Sequence, residues 1–438
     1  MLAAICCYSL VLTGCVQDKC NQTITYTTWN PVYMSYEDMR SAIANEGPRE
    51  LRRPGKIYFY GHYVFISEIN EGVHIIDNLD VANPQNIGFI VVPGNNDIAV
   101  KGNSLYADSY VDLVTLDISD VLNVRETDRE RDVFPYRMHL GNLWADAAQG
   151  VVREFVEAEV TESYDCNDMG QRSVWGGGLF VRTFGGGMMT MDAAFSSSNS
   201  GPTVNLPPSA AGFELAVGVG GSMARFTLMN NHLYTVTDQS LLVFDISELS
   251  NPSRGAIVQI GWNIETIFPF QHNRLFIGSQ TGMFVYDVSN GAQPSYLSQF
   301  QHARSCDPVV VEGDYAYVTL RGGTECGGFT NQLDVIRISN ITQPVLEASY
   351  SMVNPHGLGI RNGTLFICDG EAGLKVYNAA DPRAISQNQI AHFPNIHAFD
   401  VIPLTTVLLM IGEDGFYQYD YSDLNNIRQI SHIPIVTN

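Results

Sequence analysis

Catalytic signatures are missing from this chain. It has no HExxH, no Walker loop, no paired CxxC and no GxSxG nucleophile elbow, so the motifs of zinc proteases, P-loop enzymes and α/β-hydrolases are excluded. The glycine runs at 176–178 and 185–187 lack a strand-to-helix context and do not read as a phosphate cradle. Basic residues are scarce: 24 Lys and Arg stand against 46 Asp and Glu, a formal charge of −22. A field of that sign repels phosphate backbones, so nucleic acid is not an expected partner. Charged residues make up only 16% of the chain while 45% is hydrophobic, a folded rather than disordered composition. Ten histidines are dispersed, and His392 and His397 flank Pro394, which suits a loop better than a metal pair. The first twelve residues are mostly apolar but too few for a permanent membrane span.

The residues just after that run are more specific. Leu12-Thr13-Gly14-Cys15 has the leucine, small, small, cysteine order of a bacterial lipoprotein signal. Removal of residues 1–14 would leave the Cys15 thiol to take diacylglycerol and its amine to take a third chain. Several acyl chains anchor stably where one does not. The expected address is therefore the bacterial cell envelope, lipid-anchored, with the outer membrane favoured. No Lys or Arg precedes the run, a departure from the pattern, and the alternative is an uncleaved apolar N-terminus with an incidental cysteine. An envelope location permits disulfides among Cys20, Cys166, Cys306, Cys326 and Cys368. Cys368, in an apolar strand, is the natural thiol to remain single.

Seven copies of one unit occupy the rest. Leu241-Leu242-Val243-Phe244-Asp245 continues as Ile246-Ser247 and reaches Asn251-Pro252 six residues past the Asp. Equivalent anchors fall at Asp77, Asp117, Asp287, Arg337, Asn378 and Asp420, and six of the seven copies keep that offset. Steps of 40 to 50 residues match one propeller blade. In the second copy the four strands are expected at 98–100, 104–107, 113–116 and 124–127, separated by Gly-Asn and Asp turns. Such strands cannot bury both faces alone, and stacking blades around an axis buries them. The anchor Asp reads as a turn residue whose carboxylate accepts backbone N–H bonds. The expected fold is all-β: a seven-bladed β-propeller of four-stranded antiparallel blades over 54–435, with one long inserted loop region and a short N-terminal helix.

The motif LVxxD-I-S, spacer and Asn-Pro resembles the LVIVD repeat family of bacterial envelope lipoproteins, over about residues 54–435 and the leader. The resemblance implies a propeller and a lipid anchor; it implies no reaction or ligand. Arg337 and Asn378 depart from the repeat, which puts the capping of those two blades in doubt.

Residues 15–53 form the lipidated segment, with a helix expected over 36–45 behind Ser35 and Asp38. The alternating stretch 23–28 is a candidate strand closing the ring against the last blade. About 87 residues beyond a normal blade, roughly 136–222, enter the third blade; they are expected to be a long loop with local structure, a degenerate eighth blade being the alternative.

In a propeller the loops entering the innermost strands and those joining strands two and three share one face. The insertion belongs there, as does the expanded loop 321–332. Cys306 and Cys326 are well placed by this topology to pair, closing a loop worth about 3 kcal/mol in the chain-entropy model; Cys20 with Cys166 is the leftover pairing. One position at the channel mouth is comparable in every blade: Lys56, Asp97, Arg225, Glu265, Asp307, His356 and Asp400, twenty to twenty-two residues before the anchor and thirty in the blade with the expanded loop. All seven are polar or ionisable. Two readings stand: a ligand-binding rim of mutually perturbed charges, or an ordinary salt-bridged rim around a water-filled channel. Glu68, Glu71, Asp108, Asp112, Asp369, Glu371, Glu413 and Asp414 add carboxylates on the same face. Ca²⁺ is conceivable there, but such residues are also ordinary turn chemistry, and no cofactor or metal is expected. The stretch 165–170 resembles the start of an EF-hand loop but lacks its closing Glu.

These features leave two functions open. The favoured one is a non-catalytic binding or scaffolding module on the envelope, with a protein or glycan partner. The rival is a hydrolase or lyase using His356 with Asp307 and Asp400 as acid and base.

Overall fold

A third strand such as Ser240–Asp245 is buried along almost its whole length: Leu241, Val243 and Phe244 are at most 2% exposed and Leu242 6%. Alternation would bury every second residue. Burial of consecutive residues means that both faces of the sheet are covered, which stacked blades achieve. The computed structural model describes residues 21–134, 139–140, 143–144, 146–165, 218–302, 308–323 and 330–436. They fall into two compact units, Ser35–Arg137 with Met189–Asn438, and Met1–Met34 with Met138–Met188.

The first of these units is a seven-bladed propeller. Blade 1 is Pro54–Tyr60, Tyr63–Glu68, Gly72–Asp77 and Gln85–Val91; blade 2 is Ile98–Lys101, Ser104–Ser109, Asp112–Asp117 and Arg125–Glu130. Blade 3 begins at Phe226–Met229, blade 4 at Ile264–Phe270, blade 5 at Val309–Glu312, blade 6 at Leu358–Arg361 and blade 7 at Ala398–Pro403. Each is a four-stranded antiparallel meander, with the strand named first innermost. The expected strands of blade 2 are recovered, the outer one slipping past a bulge between Glu126 and Asp128. There is no eighth blade among the described residues.

The repeated anchor does what its chemistry dictates. Asp77, Asp117, Asp245, Asp287 and Asp420 each accept, through Oδ1, the backbone N–H two residues on, at 2.7–3.0 Å. That bond turns the chain between strands three and four. Asn378 makes the same bond to the Ala380 N–H. Arg337 cannot accept one and instead pairs with Glu347 on the outer strand. The turns also tie blades together: the Tyr106 hydroxyl donates to the Leu249 carbonyl of blade 3, and Tyr234 to Gly291 of blade 4.

Blade 1 carries two extra strands. Ala44–Glu46 pairs with its outer edge and Val219–Gly220 with its inner edge. The helix is therefore shorter than expected, Tyr36–Ser41 rather than 36–45. Ser35 caps it as expected, its hydroxyl accepting the Asp38 N–H. Residues 44–46 leave the helix because the outer edge of blade 1 offers them unpaired backbone groups, and because Asn45 bonds the Val124 backbone in both directions. The ring closes through a parallel bridge between Leu51 and Ile435 and through Asn78 and Gln418, whose amides bond each other across blades 1 and 7.

The second unit is an antiparallel ribbon of Asn21–Met34 with Val151–Asp165, in register from Asn21↔Asp165 to Met34↔Val151 with one bulge after Val32. Residues 23–28 are thus a strand, but their partner is the insertion and not the last blade. A strand of that length carries a full row of backbone groups, and only another equally long extended segment satisfies them all. The stretch 151–165 falls within the expected loop and is instead that partner.

Candidate functional site: a filled propeller axis

The last residues of the insertion do not stay outside the ring. Val219 and Gly220 lie against Phe59 and Tyr58 on blade 1's inner strand. The Gly218 N–H donates to the Val100 carbonyl of blade 2, and the Gly221 N–H to Ile57 of blade 1, at 2.9 and 3.3 Å. The Ser222 hydroxyl donates to Asp400 Oδ1 of blade 7 at 3.1 Å and accepts the Leu358 N–H of blade 6. The Ala224 carbonyl accepts the Ile267 N–H of blade 4. A segment that touches the innermost strands of five blades and then becomes the inner strand of the third can run only along the axis. Where a water-filled channel was one expectation, residues 218–224 occupy the centre at this level.

Two glycines make room for one buried acid. Asp400 is 3% exposed, and its carboxylate is held between two glycines. A Cβ on Gly221 would collide with one carboxylate oxygen and a Cβ on Gly357 with the other. Around this carboxylate are Ser222, the Val401 N–H at 2.9 Å and the Met223 N–H at 3.4 Å. Those bonds favour the ionised form, but burial outweighs them and pushes the Asp400 pKa up to about 7.

Lys56 and Asp97 form the second cluster. Lys56 Nζ lies 3.0 Å from Asp97 Oδ2, with 13% and 3% of the two side chains exposed. The same oxygen accepts the Arg225 N–H and, at 3.2 Å, the Phe226 N–H, so one carboxylate starts the inner strand of blade 3. Burial draws the lysine pKa down despite the nearby carboxylates. Asp108 caps the same corner, accepting the Asn96 and Asp97 N–H groups, and burial raises its pKa.

The other rim positions are engaged separately. Arg225 reaches Asp238 at 2.8 Å and Glu265 accepts from Gln280 at 3.0 Å. His356 is 8% exposed, its ring 5.3 Å from Phe399 and 6.2 Å from His397. Its Nε2 is buried without a hydrogen-bond partner. Burial, with the Arg321 charge and His397 nearby, holds its pKa well below the imidazole range. The structure therefore brings Lys56, Asp97 and Arg225 together and sets Asp400 on Ser222, while Glu265 bonds Gln280 and the His356 ring packs beside Phe399 and His397. Asp307, Cys15, Cys20, Cys166, Cys306 and Cys326 lie outside the described residues; Cys368 is buried and unpaired.

Most of the face-lining carboxylates are engaged locally. Glu68 bonds His74 and the Arg52 and Arg53 N–H groups, Glu71 meets Arg49, and Asp112 holds Arg40 and Arg129. Asp369 holds Lys375 and the Val353 and Asn354 N–H groups, and Glu413 meets His397. Sequence reasoning missed Gly218 to Ala224, which precede the inner strand of blade 3 and carry none of the anchor motif. Their one signal is glycine density immediately before an inner strand.

The LVIVD repeat model matches residues 95–125, 220–259 and 303–352, in blades 2, 3 and 5. The chain carries LVIVD repeats on a seven-bladed β-propeller. Two of the matched spans include the Asp97 corner and the axial Ser222. No curated protein matches this propeller. Among solved structures it is similar to a protein from Lactobacillus plantarum, at 11% identity over 88% of this chain and 97% of that one, with a TM-score of 0.52. It is also similar to the periplasmic gluconolactonase of Pseudomonas aeruginosa, at 8% identity over 90% and 97%, with a TM-score of 0.51. Likeness at this identity concerns the fold alone and transfers no reaction.

Proposed function

We propose that this chain is a non-catalytic binding or scaffolding propeller of the bacterial envelope, held at the outer membrane by lipid on Cys15. Its partner on this reading is an envelope protein or glycan. The observation that supports it is the filled axis. Propeller enzymes need an open cavity where catalytic groups meet substrate, whereas here Asp400 is covered by Ser222 and Gly221 and Asp97 is saturated by Lys56 and two N–H groups. The rival assignment of Asp400 as an acid or base with His356 requires a carboxylate that substrate can reach. A rigid ring with its centre occupied offers its loops and outer surfaces instead.

Replacing residues 166–217 by a Gly-Ser linker leaves the ribbon strands and the axial segment in place. Capture of envelope partners by this variant is expected to fall to background, and undiminished capture would remove the insertion from the interface. Cys15→Ser is expected to move the protein from the membrane to the soluble fraction. Retention on the membrane would end the lipid-anchor reading. Neither cofactor nor Ca²⁺ is part of the proposal, and chelation is expected to leave the melting temperature unchanged.

A further inference from the structure

The face of the strand one–two turns carries a groove of about 310 Å³ at the seam of blades 6, 7 and 1. Its apolar lining is Phe59, Leu79, Val81, Leu404 and Val407 with Val219 of the axial segment. Leu79 stands 78% exposed at the lip. Folding tolerates such a side chain singly, but its position beside an apolar recess extends the recess. The volume is at the lower end of the roughly 300–1,000 Å³ of small-molecule sites.

One polar group stands out in this groove. Arg361 ends blade 6's inner strand and lines the recess. Its Nε is buried and has no hydrogen-bond partner. Among the described residues its Nη2 reaches only the Thr405 hydroxyl, at 3.4 Å. Among the described residues no carboxylate lies within 4.0 Å of it. Glu312, the acid that reaches this turn, is occupied by the Gly363 N–H at 2.7 Å. In a chain with nearly twice as many acids as bases, a partly buried guanidinium without a counter-ion is unusual. Elsewhere in the fold Arg40, Arg129, Arg225 and Arg274 all meet carboxylates. A buried donor left unmade costs about 1–3 kcal/mol, and a bound anion would recover that cost.

We infer that this groove is a binding site for a small amphipathic monocarboxylate, whose apolar body lies on Phe59, Val219, Leu404 and Val407 and whose carboxylate meets Arg361. The guanidinium supplies directional N–H donors for the head, and the apolar wall supplies the affinity for the body. The groove takes a small molecule rather than an envelope macromolecule, so it goes beyond the scaffolding role and is tested independently of it.

Isothermal titration of the purified full chain with decanoate, 1-decanol and decyltrimethylammonium reads both halves of the claim. Decanoate is expected to bind at least tenfold more tightly than either neutral or cationic analogue. Arg361→Gln is expected to remove that preference while leaving weak binding of decanol. Thr406→Trp, an exposed turn position that fills the groove, is expected to abolish binding of decanoate and decanol together, with the circular dichroism melt unchanged. The inference is overturned by equal affinity of the wild type for decanoate and decanol, by a decanoate affinity left unchanged in Arg361→Gln, or by no decanoate binding to the wild type at millimolar concentration.

Discussion

Asp245 ends a third strand in open solvent, whereas Asp400 stands at the axis with 3% of its surface exposed. The hydrogen bond from Ser247 holds the Asp245 carboxyl below the usual carboxylate range, and burial pushes Asp400 up to about 7. One residue type thus has opposite acid–base character in two regions of one ring. The turns are written seven times and tolerate exceptions, as Arg337 shows by giving up the bond and pairing with Glu347. The axis is written once, from residues of five different blades and an insertion. Losing one of its members leaves a buried group with no substitute.

That contrast can be broken in graded steps. The largest effect is expected for Asp97→Ala, which strands Lys56 and unties the start of blade 3; loss of one member of a buried pair costs about 3–5 kcal/mol, read as a fall in urea midpoint. A loss below about 1 kcal/mol would show that water reaches this corner freely.

Asp400→Asn comes next and is read against pH. A carboxyl whose folded pKa lies above its unfolded value of 3.8 binds its proton more tightly in the folded state. It supports folding below about pH 4, and that support drains away as pH rises to about 7. Stability of the wild type relative to Asp400→Asn is therefore expected to fall by about 2–4 kcal/mol between pH 4 and pH 8. A difference that does not change with pH would mean that Asp400 ionises freely.

Gly221→Val sharpens the geometric half of the comparison. Its side chain would enter the space of the Asp400 carboxylate, and overpacking of this kind costs about 1–3 kcal/mol. An unchanged melting temperature would mean that the axial segment does not press on Asp400. The smallest effect is expected for Asp245→Ala, under about 1 kcal/mol, because water replaces an exposed turn bond. A loss as large as that of Asp97→Ala would erase the distinction between turn and axis.

The blades were legible because their physics is local and repeated. The run Leu241 to Asp245 announces a doubly covered strand and its turn, and repetition at a constant offset removes the ambiguity of any single copy. The rim was legible only as a set of positions. Counting back from each anchor located Lys56, Asp97, Arg225 and Asp400, but not that the first three share a corner or that Ser222 caps the fourth. The ribbon was half legible: alternation marked 23–28 as a strand, but nothing in that stretch names 151–165 as its partner. Asn45 shows the same limit on a smaller scale, since capping chemistry placed the helix start correctly while the edge of blade 1 ended the helix early.

Blade number, strand order and the turn chemistry of the anchor aspartates are determined by the sequence alone, because each rests on contacts a few residues apart that recur. Occupancy of the axis, the raised pKa of Asp400 and the lack of a carboxylate partner for Arg361 among the described residues were decided only by the tertiary structure. They depend on which groups from distant blades exclude water from one another, and desolvation is a property of the assembled ring that no segment carries by itself.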